Sequence, residues 1–117
     1  MLTKEYNKDN EIVAEIDYYI IPEKKIIYIN EIAVYGHENK HKGIGTKALY
    51  NLYSKYGDMN YRFTGISTSQ ASGFWKKLGA KLSDQKENGD YFFYLDCVNL
   101  YVYIRDVRGG KIWTGER

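Results

Sequence analysis

The segment Ile29-Asn30-Glu31-Ile32-Ala33-Val34, followed closely by Lys40-His41-Lys42-Gly43-Ile44-Gly45-Thr46, decides how this chain is read. Its first part is a run of apolar and β-branched residues of strand type. After the second glycine the period changes: Ile44, Ala48, Leu52 and Tyr56 recur every four residues, with Leu49 and Tyr53 beside them. Side chains alternate faces along a strand, whereas a helix buries positions three and four apart. A strand therefore hands over to an amphipathic helix across the glycine turn, and the helix is expected to stop at Gly57.

Such a junction has chemistry of its own. The first turn of a helix carries unpaired N–H groups and the positive end of the helix dipole, and phosphate is its usual guest. Gly43 and Gly45 let backbone approach an anion without a Cβ in the way. Thr46 adds a hydroxyl, and Lys40 and Lys42 add charge; from Gly36 to Lys47 three Lys and two His stand against Glu38 alone. A tight turn with a solvated charge cluster accounts for the same residues, so both readings stand at this point. A Walker A loop is excluded, because no Gly-Lys-Ser/Thr closes a correctly spaced glycine run. Gly43-x-Gly45-x-x-Ala48 fits the dinucleotide fingerprint, but the acidic residue about twenty positions on is missing and the chain is short for a Rossmann domain.

Working outward, residues 11–20 read as a strand, Pro22 marks a turn, and residues 26–34 form a second strand of the same hairpin. Strict alternation puts Tyr28, Asn30, Ile32 and Val34 on one face, and Ile27, Ile29, Glu31 and Ala33 on the other. Residues 61–67 read as a strand, and 69–78 as a helix with Thr68 or Ser69 as cap and Gly79 as stop. Residues 80–83 form a short strand, Asn88-Gly89 marks a hairpin turn, and 91–95 form a last strand. The tail from 98 to 113 is expected to form another hairpin around Arg108-Gly109-Gly110. The order β-β-α-β-α-β-β plus tail implies an α/β (α+β) fold, a mixed central sheet with helices packed on it.

A length of 117 residues fits one domain, with a core about 11–95 and an extension over 96–117. The net charge of +2 argues for neither nucleic acid nor an anionic membrane, although Arg105, Arg108 and Lys111 sit among tyrosine-rich strands. The single Cys97 excludes an internal disulfide and reads as a buried thiol. Two isolated histidines, His37 and His41, do not make a metal site. No apolar run approaches membrane-spanning length and the start is charged, so a cytoplasmic location is expected.

Two segments together resemble the GCN5-related N-acetyltransferases. Lys40-His41-Lys42-Gly43-Ile44-Gly45 is similar to their acetyl-CoA signature Gln/Arg-x-x-Gly-x-Gly/Ala, with Lys for the leading residue. Ala71-Ser72-Gly73-Phe74-Trp75-Lys76-Lys77-Leu78-Gly79-Ala80 resembles their second CoA-side helix, with Thr68 for its Asn and Trp75 where a Tyr usually protonates the departing thiolate. The resemblance covers roughly residues 11–95 and leaves room for only two strands before the glycine turn. The family's usual first strand and two early helices are then absent.

The resemblance implies an N-acetyltransferase that moves an acetyl group from acetyl-CoA, a co-substrate, to an amine on a small molecule or a protein, with no metal. A non-catalytic CoA-binding or protein-interaction module is the alternative. Cofactor contacts are implied for Ile32, Ala33 and Val34 near the end of the central strand, for Lys40, His41, Lys42, Gly43, Ile44, Gly45 and Thr46, and for Thr68, Ser72 and Trp75. Glu31 is the nearest carboxylate to serve as base, and Asn30 is placed to order a water instead; Tyr91 and Tyr94 are candidate acids. The apolar tail 98–104 also suggests a homodimer.

Overall fold

The structure, a computed structural model, describes residues 2–36, 43–56 and 60–107. Strands β1 (Leu2–Lys8), β2 (Glu11–Ile21) and β3 (Ile26–Val34) come first, followed by helix α1 (Ile44–Tyr56) and strand β4 (Arg62–Ser67). Helix α2 (Ser72–Lys77), strands β5 (Lys81–Leu82) and β6 (Tyr91–Asp96), and helix α3 (Cys97–Val107) complete the fold. One six-stranded sheet runs in the order β1-β2-β3-β4-β6-β5. Every neighbouring pair is antiparallel except β3 with β4. The fold is therefore a mixed α+β sheet with helices on it, as expected.

Three strands, not two, precede α1. Residues 2–8 alternate weakly and carry three charges, one of them Lys4 opposite buried Ile16, which hides an edge strand. The connection to β2 is a two-residue turn with Asp9 at φ 53° and Asn10 at φ 65°, the backbone of a hairpin turn of the primed type. The tail also differs from its expected hairpin: residues 97–107 form a helix. Cys97, Leu100 and Ile104 are buried in the common core, and that spacing of three and four outweighs the strand propensity of the Val, Tyr and Ile residues between them. Helix α2 is shorter than residues 69–78, because 69–71 form a turn in which the Ala71 N–H donates to both the carbonyl and the hydroxyl of Thr68.

Register explains where the core lies. Ala14, Ile16 and Tyr18 of β2 face the same way as Val34, Ile32 and Ile29 of β3, and Ile27 and Ile29 stand beside Phe63 and Gly65 of β4. Phe63 and Gly65 in turn stand beside Leu95 and Phe93 of β6. This continuous face is buried under all three helices: α1 packs on β1–β3, α2 on β5 and β6, and α3 on β6 and α1. Among the described residues the opposite face carries no helix.

Strict alternation fails at one point on β3. Asp17 pairs with Glu31 while the next residue, Tyr18, pairs with Ile29, so Asn30 is an extra residue in a β-bulge. Beyond it the faces exchange. Ile32 and Val34 join Ile27 and Ile29 over the core, and Glu31 and Ala33 join Tyr28 on the open face, which corrects the simple two-face assignment.

Candidate functional site

Beyond the bulge β3 and β4 part company. Their parallel pairing runs from Ile26–Arg62 to Ile29–Gly65 and ends there, although β3 continues to Val34 and β4 to Ser67. Backbone groups of β3 that would have completed the ladder with β4 are thus turned toward a slot. At the last pair the strands are too close for a side chain: a Cβ on Gly65 would lie 2.6 Å from the Ile29 carbonyl oxygen and 2.8 Å from the Phe93 ring. Close contact at Ile29–Gly65 and separation just after it make the apex of a wedge.

The wedge contains a cavity of about 700 Å³. Its β3 wall is Ile29, Asn30, Glu31, Ile32 and Val34, and its β4 wall is Ile66, Ser67 and Thr68. Residues 43–46 close one end, and Gln70, Ala71, Gly73, Phe74, Trp75 and Lys77 close another, with Phe93 beneath. Ile32 and Ser67 belong to the covered face of the sheet, Glu31 and Ile66 to the open one, so the slot passes between the strands from face to face.

Helix α1 meets this cavity with its N-terminus. Gly43 has φ 78°, a left-handed conformation that other residues adopt at a cost of about 1 kcal/mol or more. The first intrahelical bond is donated by Lys47 N–H to the Gly43 carbonyl at 3.0 Å. The amides of Ile44, Gly45 and Thr46 therefore have no partner within the helix, and its first turn contains no carboxylate. Gly45 lies against α2, where an added Cβ would sit 3.3 Å from the Phe74 ring. Thr46 is buried and still lines the cavity.

Trp75 is a fixed part of the floor. Its indole is buried, stacks on Phe93 at 3.8 Å between ring centroids, and meets Phe74 edge-on at 5.0 Å. Among the described residues no tyrosine lines the cavity, and neither Tyr91 nor Tyr94 reaches it. Tyr94 stands on the open face with the Arg62 guanidinium over its ring at 5.1 Å.

Glu31 lies at the rim in a row of carboxylates. Cross-strand pairing sets Glu5 beside Glu15, and Asp17 beside Glu31. The hydroxyl of Tyr35, just past β3, donates to Glu15. That bond most of all, then loss of water and the charges of Glu15, Glu31 and Asp17, raise the Tyr35 phenol above its usual pKa.

Of the residues expected at a site, Asn30, Glu31, Ile32, Val34, Gly43, Ile44, Gly45, Thr46, Thr68 and Trp75 line one cavity. Ala33 and Ser72 do not; Ala33 pairs with Glu15 on the open face, and the Ser72 hydroxyl donates to the Ser69 carbonyl at 2.9 Å. Lys40, His41 and Lys42 lie outside the described residues, as do His37, Gly57 and the glycines at 109 and 110. Sequence reasoning missed Ser67, Gln70, Phe74 and Phe93. Phe74, inside the second helix, and the β4 end shortly before that helix were within its reach. Phe93 reaches the slot only through the β4–β6 register.

No family model and no curated protein matches the chain in sequence. Solved structures match its shape. N-acetylglutamate synthase from Neisseria gonorrhoeae, complexed with coenzyme A and N-acetyl-glutamate, aligns at TM-score 0.62 and 14% identity over 80% of this chain and 25% of that one. The PaiA N-acetyltransferase from Thermoplasma acidophilum, in complex with coenzyme A, aligns at TM-score 0.62 and 20% identity over 81% and 60%. An N-acetyltransferase from Staphylococcus aureus Mu50 aligns at TM-score 0.57 and 17% identity over 80% and 68%. The chain thus spans a quarter and three-fifths of the length of the first two. With three N-acetyltransferases sharing its architecture, the chain has the fold of the GCN5-related N-acetyltransferases.

Proposed function

We propose that this chain is an acetyl-CoA-dependent N-acetyltransferase. The observation that carries the reading is the wedge between β3 and β4, which opens directly onto the N-terminus of α1 at Gly43 and Gly45. A pyrophosphate on the first-turn amides of α1 would be held by the helix end, with the pantetheine arm running along the exposed backbone of Ile32 and Val34. Lys40, His41 and Lys42 are proposed to supply charge beside it. Remote binding of this kind fixes the thioester in place and lowers the entropy cost of attack.

The chemistry needs little more. An amine nitrogen attacks the thioester carbonyl carbon, and a backbone N–H of β3 facing the slot stabilises the developing oxyanion. The C–S bond breaks, the thiolate leaves, and the amine loses one proton. Glu31 takes that proton, directly or through a water ordered by Asn30. Solvent protonates the thiolate, since Trp75 carries no usable proton.

A second reading, a CoA-binding module without catalysis, is favoured by one observation: no tyrosine among the described residues lines the cavity. A two-part experiment separates them. Acetyl-CoA at a hundred times its Kd should stabilise the protein by about 2.7 kcal/mol, and labelled acetyl-CoA should transfer its acetyl group to an amine in a cell lysate. A melting temperature unmoved by millimolar acetyl-CoA removes both readings. Stabilisation without transfer leaves the module.

A further inference from the structure

The apex of the wedge is closed by a ring that is held on several sides. Phe93 pairs with Gly65 on β4 and with Leu82 on β5. Gly65 alone offers no side chain, so the ring leans across it toward the slot. Its Cε2 and Cζ atoms lie 2.8 and 3.0 Å from where a Gly65 Cβ would stand. The Trp75 indole then covers the ring in a nearly parallel stack, 16° between planes and 3.8 Å between centroids, and Phe74 meets that indole edge-on. Phe93 and Trp75 are only 3% and 4% exposed, yet both line the cavity. A ring packed this closely moves only if its neighbours move with it.

The two sides of the slot differ near this apex. Toward the covered face, Ile29, Phe93 and Trp75 make an apolar wall. Toward the open face stands the carboxylate of Glu31. An acyl chain is apolar and is drawn to the first side; an amine that must give up a proton is drawn to the second.

We propose that Phe93 sets the length of acyl chain the slot admits, so that an acetyl group fits and a hexanoyl group does not. The inference rests on the reading of the slot as an acyl-CoA site. An arm laid along Val34 and Ile32 points its acyl end at the Ile29–Gly65 apex, where the Phe93 ring is the first obstacle on the apolar side. A longer chain has to displace that ring. The ring in turn can yield only by leaving its stack with Trp75, by entering the space of Leu82, or by pressing into the backbone of Gly65, and overpacking of that kind is unfavourable.

Titration calorimetry of the full chain with CoA, acetyl-CoA and hexanoyl-CoA tests it. The wild type should bind acetyl-CoA about tenfold or more tightly than hexanoyl-CoA. Phe93→Ala leaves room for several methylene groups beside Ile29. Since each buried methylene is worth roughly fourfold in affinity, this variant should tighten hexanoyl-CoA by about tenfold or more while moving acetyl-CoA by less than about threefold. The ratio of the two affinities is the readout, because a general loosening of the fold weakens both ligands and does not reverse their order. If circular dichroism shows that Phe93→Ala does not fold, Phe93→Leu with butyryl-CoA takes its place and should shift the ratio the same way. Equal wild-type affinity for acetyl-CoA and hexanoyl-CoA, or a ratio that the substitution leaves unmoved, overturns the inference while acetyl-CoA binding preserves the reading of the slot. A wild type that binds neither CoA nor acetyl-CoA overturns both.

Discussion

Single atoms decide two features of this molecule. Gly65 stands where β3 and β4 last touch, and a methyl group there would collide with the Ile29 carbonyl and the Phe93 ring. Overpacking at such a site costs about 1–3 kcal/mol, and for a chain of this size each kcal/mol lowers Tm by about 4 °C. Gly65→Ala should therefore melt about 4–12 °C below the wild type in a thermal unfolding experiment. At Tyr35 the charge environment sets the behaviour. Its phenol is held protonated by the bond to Glu15 and by nearby carboxylates. A raised phenol pKa contributes stability that is complete below the pKa of the unfolded chain, about 10, and is lost as pH rises through the higher folded value. Tyrosinate absorbance should thus show a late-titrating phenol that disappears in Tyr35→Phe. The variant's stability should also fall less steeply than the wild type's in strong alkali. The sequence could not show either effect, because both depend on neighbours brought in by register from other strands.

At the scale of elements, legibility followed periodicity. Helix α1 was plain because Ile44, Ala48 and Leu52 repeat every four residues, and all three are buried. The glycine junction and the strand before it were equally plain. Helix α3 was misread, since Val98-Asn99-Leu100-Tyr101-Val102 reads as a strand from residue types alone. In a strand Val98 and Leu100 would share a face; in the helix Leu100 is fully buried while Val98 is 42% exposed. Leu100→Ala should cost about 2–5 kcal/mol and Val98→Ala no more than about 0.5 kcal/mol, both read from urea unfolding midpoints. Equal costs would restore the hairpin. Strand β1 escaped notice because an edge strand has little need of an apolar face, although Asp9-Asn10 was a usable turn signal.

For the whole molecule, the arrangement of the sheet could be argued from the element order, but the slot could not. Its position depends on where pairing stops, and the sequence contains no mark for that beyond the close approach at Gly65. The open face was equally hidden, because its residues come from six strands, several of them distant in the chain. One further consequence concerns parity. Every residue of a strand is odd or even, and Asn30 shifts the count by one, so that Ile32 faces the core and Glu31 faces away. A substitution at Asn30 keeps the extra residue and its bulge, whereas its deletion would let Glu31 follow Ile29 directly, with Glu31 still facing away, Ile32 still facing the core, and only the bulge lost.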